Sequence, residues 1–131
     1  MKVQDLMWAH VITAESGSLA SHAGIRMRVN KISGLPVIDA EKTLMGIVTE
    51  FDLIRALRAG RDLAVTLVDE LMTPGVISVE PSTPVDEVME ILERERILRV
   101  PVVSDGKLVG VVSRSDILDA ALQGVYVGSQ A

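Results

Sequence analysis

The sequence predicts an α+β protein built from two copies of one β-α-β-β-α unit, and three segments that occur twice predict it. VQDLM at Val3–Met7 returns as VDELM at Val68–Met72. LPVID at Leu35–Asp39 returns as VPVVSD at Val100–Asp105, and GIVTEFDLI at Gly46–Ile54 as GVVSRSDIL at Gly110–Leu118. Met7/Met72 and Pro36/Pro101 share an offset of 65 residues, while Gly46 and Gly110 lie 64 apart, so the second copy is one residue shorter in its turn. A register held this closely marks a duplicated structural unit, and any chemistry is to be read twice. The copies are assigned to residues 1–59 and 67–123, with a linker at 60–66 and a loosely held tail at 124–131.

Each copy runs through the same elements. An amphipathic lead-in ends at Met7 or Met72 and precedes a short β-branched strand, VITA at Val11–Ala14 or VISV at Val76–Val79. A helix follows. In the second copy Ser82-Thr83-Pro84 reads as its start, with proline in the first turn and Asp86 and Glu87 complementing the dipole. Val85, Val88, Met89 and Leu92 fall at helical spacing there. In the first copy Ser18 is the cap and Leu19, Ala23 and Met27 the stripe, although Gly24 weakens the helix. Two strands joined by a turn come next, LPVID-AEKT-LMGIVT and VPVVS-DGK-LVGVVS, and Asp105-Gly106 is the sharper hairpin signal. The last helix carries Phe51, Leu53, Ile54 and Leu57, matched by Ile117, Leu118, Ala121 and Leu122. The strands are short and strongly apolar, as in a sheet covered on both sides.

Composition narrows the function. The 131 residues are 48% hydrophobic, enough to bury a core, and that core is aliphatic because Trp8, Phe51 and Tyr126 are the only aromatics. A net charge of −5 and so few stacking side chains argue against a nucleic-acid surface. Without cysteine there is no disulfide framework, thiolate metal site or thiol nucleophile. No apolar run is long enough to span a bilayer, and the N-terminus lacks a signal-peptide pattern, so a cytoplasmic protein is expected.

One motif carries candidate chemistry: Gly46, Thr49 and Asp52, repeated as Gly110, Ser113 and Asp116. Read structurally, Thr or Ser followed three residues later by an acid is a capping box, and for a single copy that reading is favoured. Read functionally, a strand running into a helix presents free N–H groups and positive dipole to a phosphate. The hydroxyl adds a donor, and the carboxylate, an acceptor through both oxygens, suits the cis-diol of a ribose.

Together with NKISGLPV at Asn30–Val37 and RILRVPVV at Arg96–Val103, these motifs make the chain resemble a tandem pair of CBS domains, a Bateman module, over nearly its whole length. The resemblance implies two units packed sheet to sheet around a pseudo-twofold axis, with two equivalent clefts. It implies AMP, ADP or ATP as ligand, less often S-adenosylmethionine or a dinucleotide, with no obligatory cofactor. By motif, Asp52 and Asp116 would hold ribose, and Thr49 and Ser113 phosphate. Each cleft would be walled by the other unit: Ser18, Ala23, Ile32, Ser33 and Gly34 for Asp116, and Thr83, Val88, Ile97 and Leu98 for Asp52. Arg99 stands where some family members place a phosphate-binding cation. Its counterpart is Gly34, so the two clefts are expected to differ electrostatically. The family's habit also implies a disc-like homodimer and a regulated protein partner.

The remaining residues read blandly. His10 and His22 are far apart and expected at the surface, and no Ser-His-Asp grouping exists. Met7, Met27, Met45, Met72 and Met89 are expected to fill core gaps. Glu93–Arg96 reads as a solvated face, and Arg55, Arg58 and Arg61 as surface cations or as contacts to a polyphosphate or acidic partner. The expectation is an adenine-nucleotide-sensing module without catalysis of its own. Its rival is a structural dimerisation module in which both motifs only cap helices, and an enzyme ranks last.

Overall fold

Asp105 and Gly106 both take left-handed backbone angles (φ 53° and 78°), the pair of positive values that a type I′ two-residue hairpin requires. They join two antiparallel strands, as read from the sequence. The computed structural model describes residues 1–123 in full and bounds the closing helix at Gln130; the tail expected at 124–131 lies outside the fully described residues. The chain forms two compact units, Ile12–Val76 and Met1–Val11 together with Ile77–Ala131.

The unit Ile12–Val76 contains β1 (Ala14–Glu15), α1 (Ala20–Asn30), β2 (Gly34–Ile38), β3 (Leu44–Thr49), α2 (Glu50–Arg58) and α3 (Val68–Leu71). Its sheet has the order β1-β2-β3, with β1 parallel to β2 and β2 antiparallel to β3. Leu35, Pro36 and Val37 are buried in succession, as in a strand covered on both faces. Ala23, Met27, Leu35, Val37, Val48, Leu53 and Val68 form the core. Gly24 has a packing reason: a Cβ there would sit 3.0 Å from Leu53 Cδ1 across the α1–α2 contact.

The second unit contains a 3-10 turn at Val3–Asp5, then α4 (Val85–Glu95), β4 (Arg99–Ser104), β5 (Lys107–Ser113) and α5 (Arg114–Gln130). Val3, Val79, Val88, Ile91, Leu92, Val100, Val102 and Val112 make its core. The lead-ins are therefore exchanged relative to the sequence repeats. Val3 is buried with the second repeat's strands, and Val68, its equivalent, with the first repeat's. Each lead-in is capped alike, Asp5 accepting from the Lys2 N–H at 2.8 Å and Glu70 from the Leu67 N–H at 2.9 Å. Met7 and Met72 then lie over the motif glycines. A Cβ on Gly110 would meet Met7 Sδ and the Trp8 carbonyl at 2.9 Å each, and one on Gly46 would meet Met72 Sδ at 2.9 Å and the Thr73 carbonyl at 2.7 Å.

Several expected details are corrected. VITA yields only the two-residue β1, and VISV yields no strand, only a parallel bridge from Val79 to Val102. Ser18 does not cap α1: its hydroxyl donates to the Glu15 carbonyl at 2.6 Å and Leu19 holds the cap position. Pro84 is likewise the cap of α4 rather than its first residue, and Ile91, not Met89, completes the buried face. Met45 and Met89 are exposed, leaving Met7, Met27 and Met72 as core fillers. Thr66 is buried within the stretch read as linker, where its carbonyl accepts from the Ala20 N–H at 2.7 Å. His10 and His22 are exposed, as expected.

Candidate functional site at the strand-to-helix corners

Both corners form the capping box. At the start of α2, Asp52 Oδ2 accepts from the Thr49 N–H at 2.8 Å, and Thr49 Oγ1 accepts from the Asp52 N–H at 3.2 Å. At the start of α5, Asp116 Oδ2 accepts from the Ser113 N–H at 2.8 Å and its hydroxyl at 2.9 Å, while Ser113 Oγ accepts from the Asp116 N–H at 3.2 Å. The structural reading of the motif is thus realised twice, and the corners diverge beyond it.

At the first corner the other oxygen of Asp52 is taken by Arg55, one turn along α2, and the carboxylate is only 5% exposed. Gly34 pairs with Thr49 across the strands, and the Glu50 N–H donates to the Ser33 carbonyl at 2.9 Å. Ile32 packs against the core beneath. Ser18 lies elsewhere in this unit, lining a cavity of about 110 Å³ with Glu15, His22 and Arg26. Glu50 adds a negative charge at the helix start and pairs with Arg28 at 3.5 Å.

The second corner opens onto a cavity of about 280 Å³ lined by Leu98, Arg99, Ser113, Arg114, Ser115 and Asp116, with Trp8 and Val111 completing the wall. Register explains the grouping: Arg99 pairs with Ser113 across β4 and β5, and the Arg114 N–H donates to the Leu98 carbonyl at 2.9 Å. Among the described residues neither Arg99 nor Arg114 has an ion-pair partner. Their counterparts at the first corner are Gly34 and Glu50, so two cations stand where the other corner has none and an acid. Two arginines, Ser115 and a helix N-terminus thus border one cavity, groups suited to a phosphate. Ile97 packs on the core and lines an apolar groove between α4 and α5. Thr83 accepts the Glu80 N–H at 3.0 Å in the turn before α4 and is not part of this cavity.

Trp8, Arg114 and Ser115 were missed by the sequence reading. Trp8 donates its indole N–H to Asp116 Oδ1 at 2.8 Å. The repeat alignment held a signal for two of them, since Trp8 replaces Thr73 after the shared Met, and Arg114 replaces Glu50 inside the motif.

Two β-α-β-β-α repeats, each closed by a Gly-x-x-Thr/Ser-x-x-Asp corner, define a tandem CBS-domain protein. The chain belongs to the CBS domain family, whose model matches residues 3–59 and 68–123. It is 30% identical to hypoxic response protein 1 of Mycobacterium tuberculosis over 115 residues, 87% of this chain and 80% of that protein. It is also 30% identical to the MJ1225 protein of Methanocaldococcus jannaschii over 116 residues, which is 88% of this chain and only 41% of that one. The AcuB protein of Vibrio cholerae superposes with a TM-score of 0.88 at 29% identity, covering 100% of this chain and 97% of its own. CBSX2, solved in complex with AMP, gives 0.82 at 31% identity over 93% and 96% of the two chains. The CBS pair of MJ0100, solved with 5′-methylthioadenosine and S-adenosyl-L-methionine, gives 0.79 at 31% identity over 96% and 98%.

Proposed function

We propose that the chain is a regulatory CBS pair that binds an adenine nucleotide and has no catalytic activity of its own. The observation that carries this reading is the second corner, where Ser113, Arg99 and Arg114 line one cavity with Asp116. In this assignment the phosphate sits against Ser115, the two arginines and the start of α5 beside Ser113, whose hydroxyl proton stays on Asp116, and Asp116 accepts from the ribose. The complexes of CBSX2 with AMP and of MJ0100 with adenosine compounds support the ligand class. Thr49 and Asp52, with Ser33 and Gly34 beside them, form a second and weaker site. A phosphate there meets Glu50 and no matching cation, and Asp52 is already paired with Arg55. For that corner a purely structural capping role is the alternative, and the burial of Asp52 favours it.

The mechanism is linkage. A nucleotide with different affinity for two arrangements of the protein shifts their balance, and with it a dimer or partner equilibrium, by that difference alone. Among the described residues no helix is long and apolar enough to cross a membrane, and the proposed setting is the cytoplasm. A thermal-shift panel of AMP, ADP, ATP and S-adenosylmethionine tests the reading. A ligand at a hundredfold excess over its Kd stabilises by about 2.7 kcal/mol. Stabilisation by an adenine nucleotide is expected, and a panel that leaves the melting temperature unchanged would favour the structural module.

A further inference from the structure

Asp116 is short of acceptor capacity for a ribose. A carboxylate offers about four lone-pair sites, two on each oxygen. Oδ2 spends both on the Ser113 N–H and hydroxyl, and Oδ1 spends one on the Trp8 indole. One remains, while a cis-diol brings two donors. The Trp8 ring itself is lightly held, being 63% exposed. The Trp8–Asp116 pair also stands between two cavities, the 280 Å³ corner and one of about 700 Å³ lined by Asp5, Leu6, Met7, Asp119, Ala120 and Leu122. The corner alone falls just below the roughly 300–1,000 Å³ typical of small-molecule sites.

We infer that Trp8 is the affinity-setting residue of the Asp116 corner: its indole N–H competes with the ligand's ribose for Asp116 Oδ1, and binding displaces it. This rests on the nucleotide reading above. Release of the indole frees the second lone pair and lets the corner communicate with the larger cavity. The arrangement is particular to this repeat. The residue equivalent to Trp8 is Thr73, and at the other corner the free oxygen is guarded by Arg55, whose own counterpart is Asp119 and offers no donor.

Because Trp8 is the only tryptophan, its emission reports its own displacement. The experiment titrates AMP into the full chain, following fluorescence and heat together, for the wild type, Trp8→Phe and Trp8→Thr. Trp8→Phe keeps an aromatic ring without the donor, and Trp8→Thr installs the residue type of the other lead-in; melting curves confirm that both fold. Emission and heat should follow one isotherm in the wild type. Both variants should bind about tenfold tighter, the size of one hydrogen bond to a charged group at the weak end of its range. Heat without a change in emission, with variants of unchanged affinity, would overturn the competition and leave nucleotide binding standing. Weaker binding by both variants would also overturn it, because the indole would then be part of the ligand's wall. Folded proteins that all fail to bind AMP, ADP and ATP would overturn the competition and the nucleotide reading together.

Discussion

Asp69 shows how a single carboxylate ties the lead-in to its unit. It accepts from the Ser16 hydroxyl at 2.5 Å and the Gly17 N–H at 2.6 Å, and these bonds hold its pKa below the ordinary aspartate value, the serine contributing most. A depressed folded pKa gives stability that is present above the unfolded value and lost as pH falls through the folded one. The melting temperature of Asp69→Asn should therefore lie below wild type at neutral pH. The gap should narrow as pH falls below the ordinary aspartate value and the wild-type carboxylate protonates. A gap independent of pH would show that the bonds matter only as neutral contacts. No sequence pattern revealed this residue, because its partners lie more than fifty positions away and come together only when α3 docks. Asp52 and Asp116 were legible, since their motif repeats. The second partner of Asp116 was not, because Trp8 lies 108 residues away and reaches it only through the exchanged lead-in.

The Met–Gly contacts are the element-scale counterpart of the repeat. Trp8 bridges to Val111 and Thr73 to Ile47, laying each lead-in across the strand that carries the motif glycine. Only a residue without a Cβ permits that approach, since the obstructing atoms include a backbone carbonyl at 2.9 Å from a Cβ placed on Gly110. Gly110→Ala should lower the unfolding free energy by about 1–3 kcal/mol, as overpacking does, measured by urea denaturation. A neutral result would mean that the lead-in moves aside freely. Hairpins, helices and their order were readable because turn chemistry and the 3.6-residue period are local signals. The β1 strand and its missing copy at Val76–Val79 were not. A β-branched run shows the capacity to pair, while the extent of pairing depends on neighbours distant in sequence.

At the scale of the whole molecule, the apolar residues left outside both cores bear on assembly. Ile25, Val29, Phe51, Ile54 and Leu57 are exposed, and all but Phe51 line an apolar groove of about 460 Å³ between α1 and α2. Monomers seldom tolerate such patches, and a twofold pairing buries the same patch on both chains. The proposed homodimer should scatter light at twice the chain mass with or without nucleotide. Leu57→Glu should reduce that to the single-chain mass while leaving the helical circular dichroism intact. A wild-type monomer under both conditions would contradict the assembly. The duplication made two sites readable, and the substitutions that make them unequal, Arg99 for Gly34 and Arg114 for Glu50, concentrate the nucleotide reading on one corner. Isothermal titration of AMP into the wild type and Asp116→Ala tests that reading most directly. The account predicts that the wild type binds and that the substitution weakens its tighter site by about 1.5–3 kcal/mol, the value of hydrogen bonds to a charged group. Loss of the cap should separately cost about 0.5–2 kcal/mol of stability. An Asp116→Ala protein that melts earlier yet binds AMP as the wild type does would contradict the account, leaving Asp116 as a helix cap and nothing more.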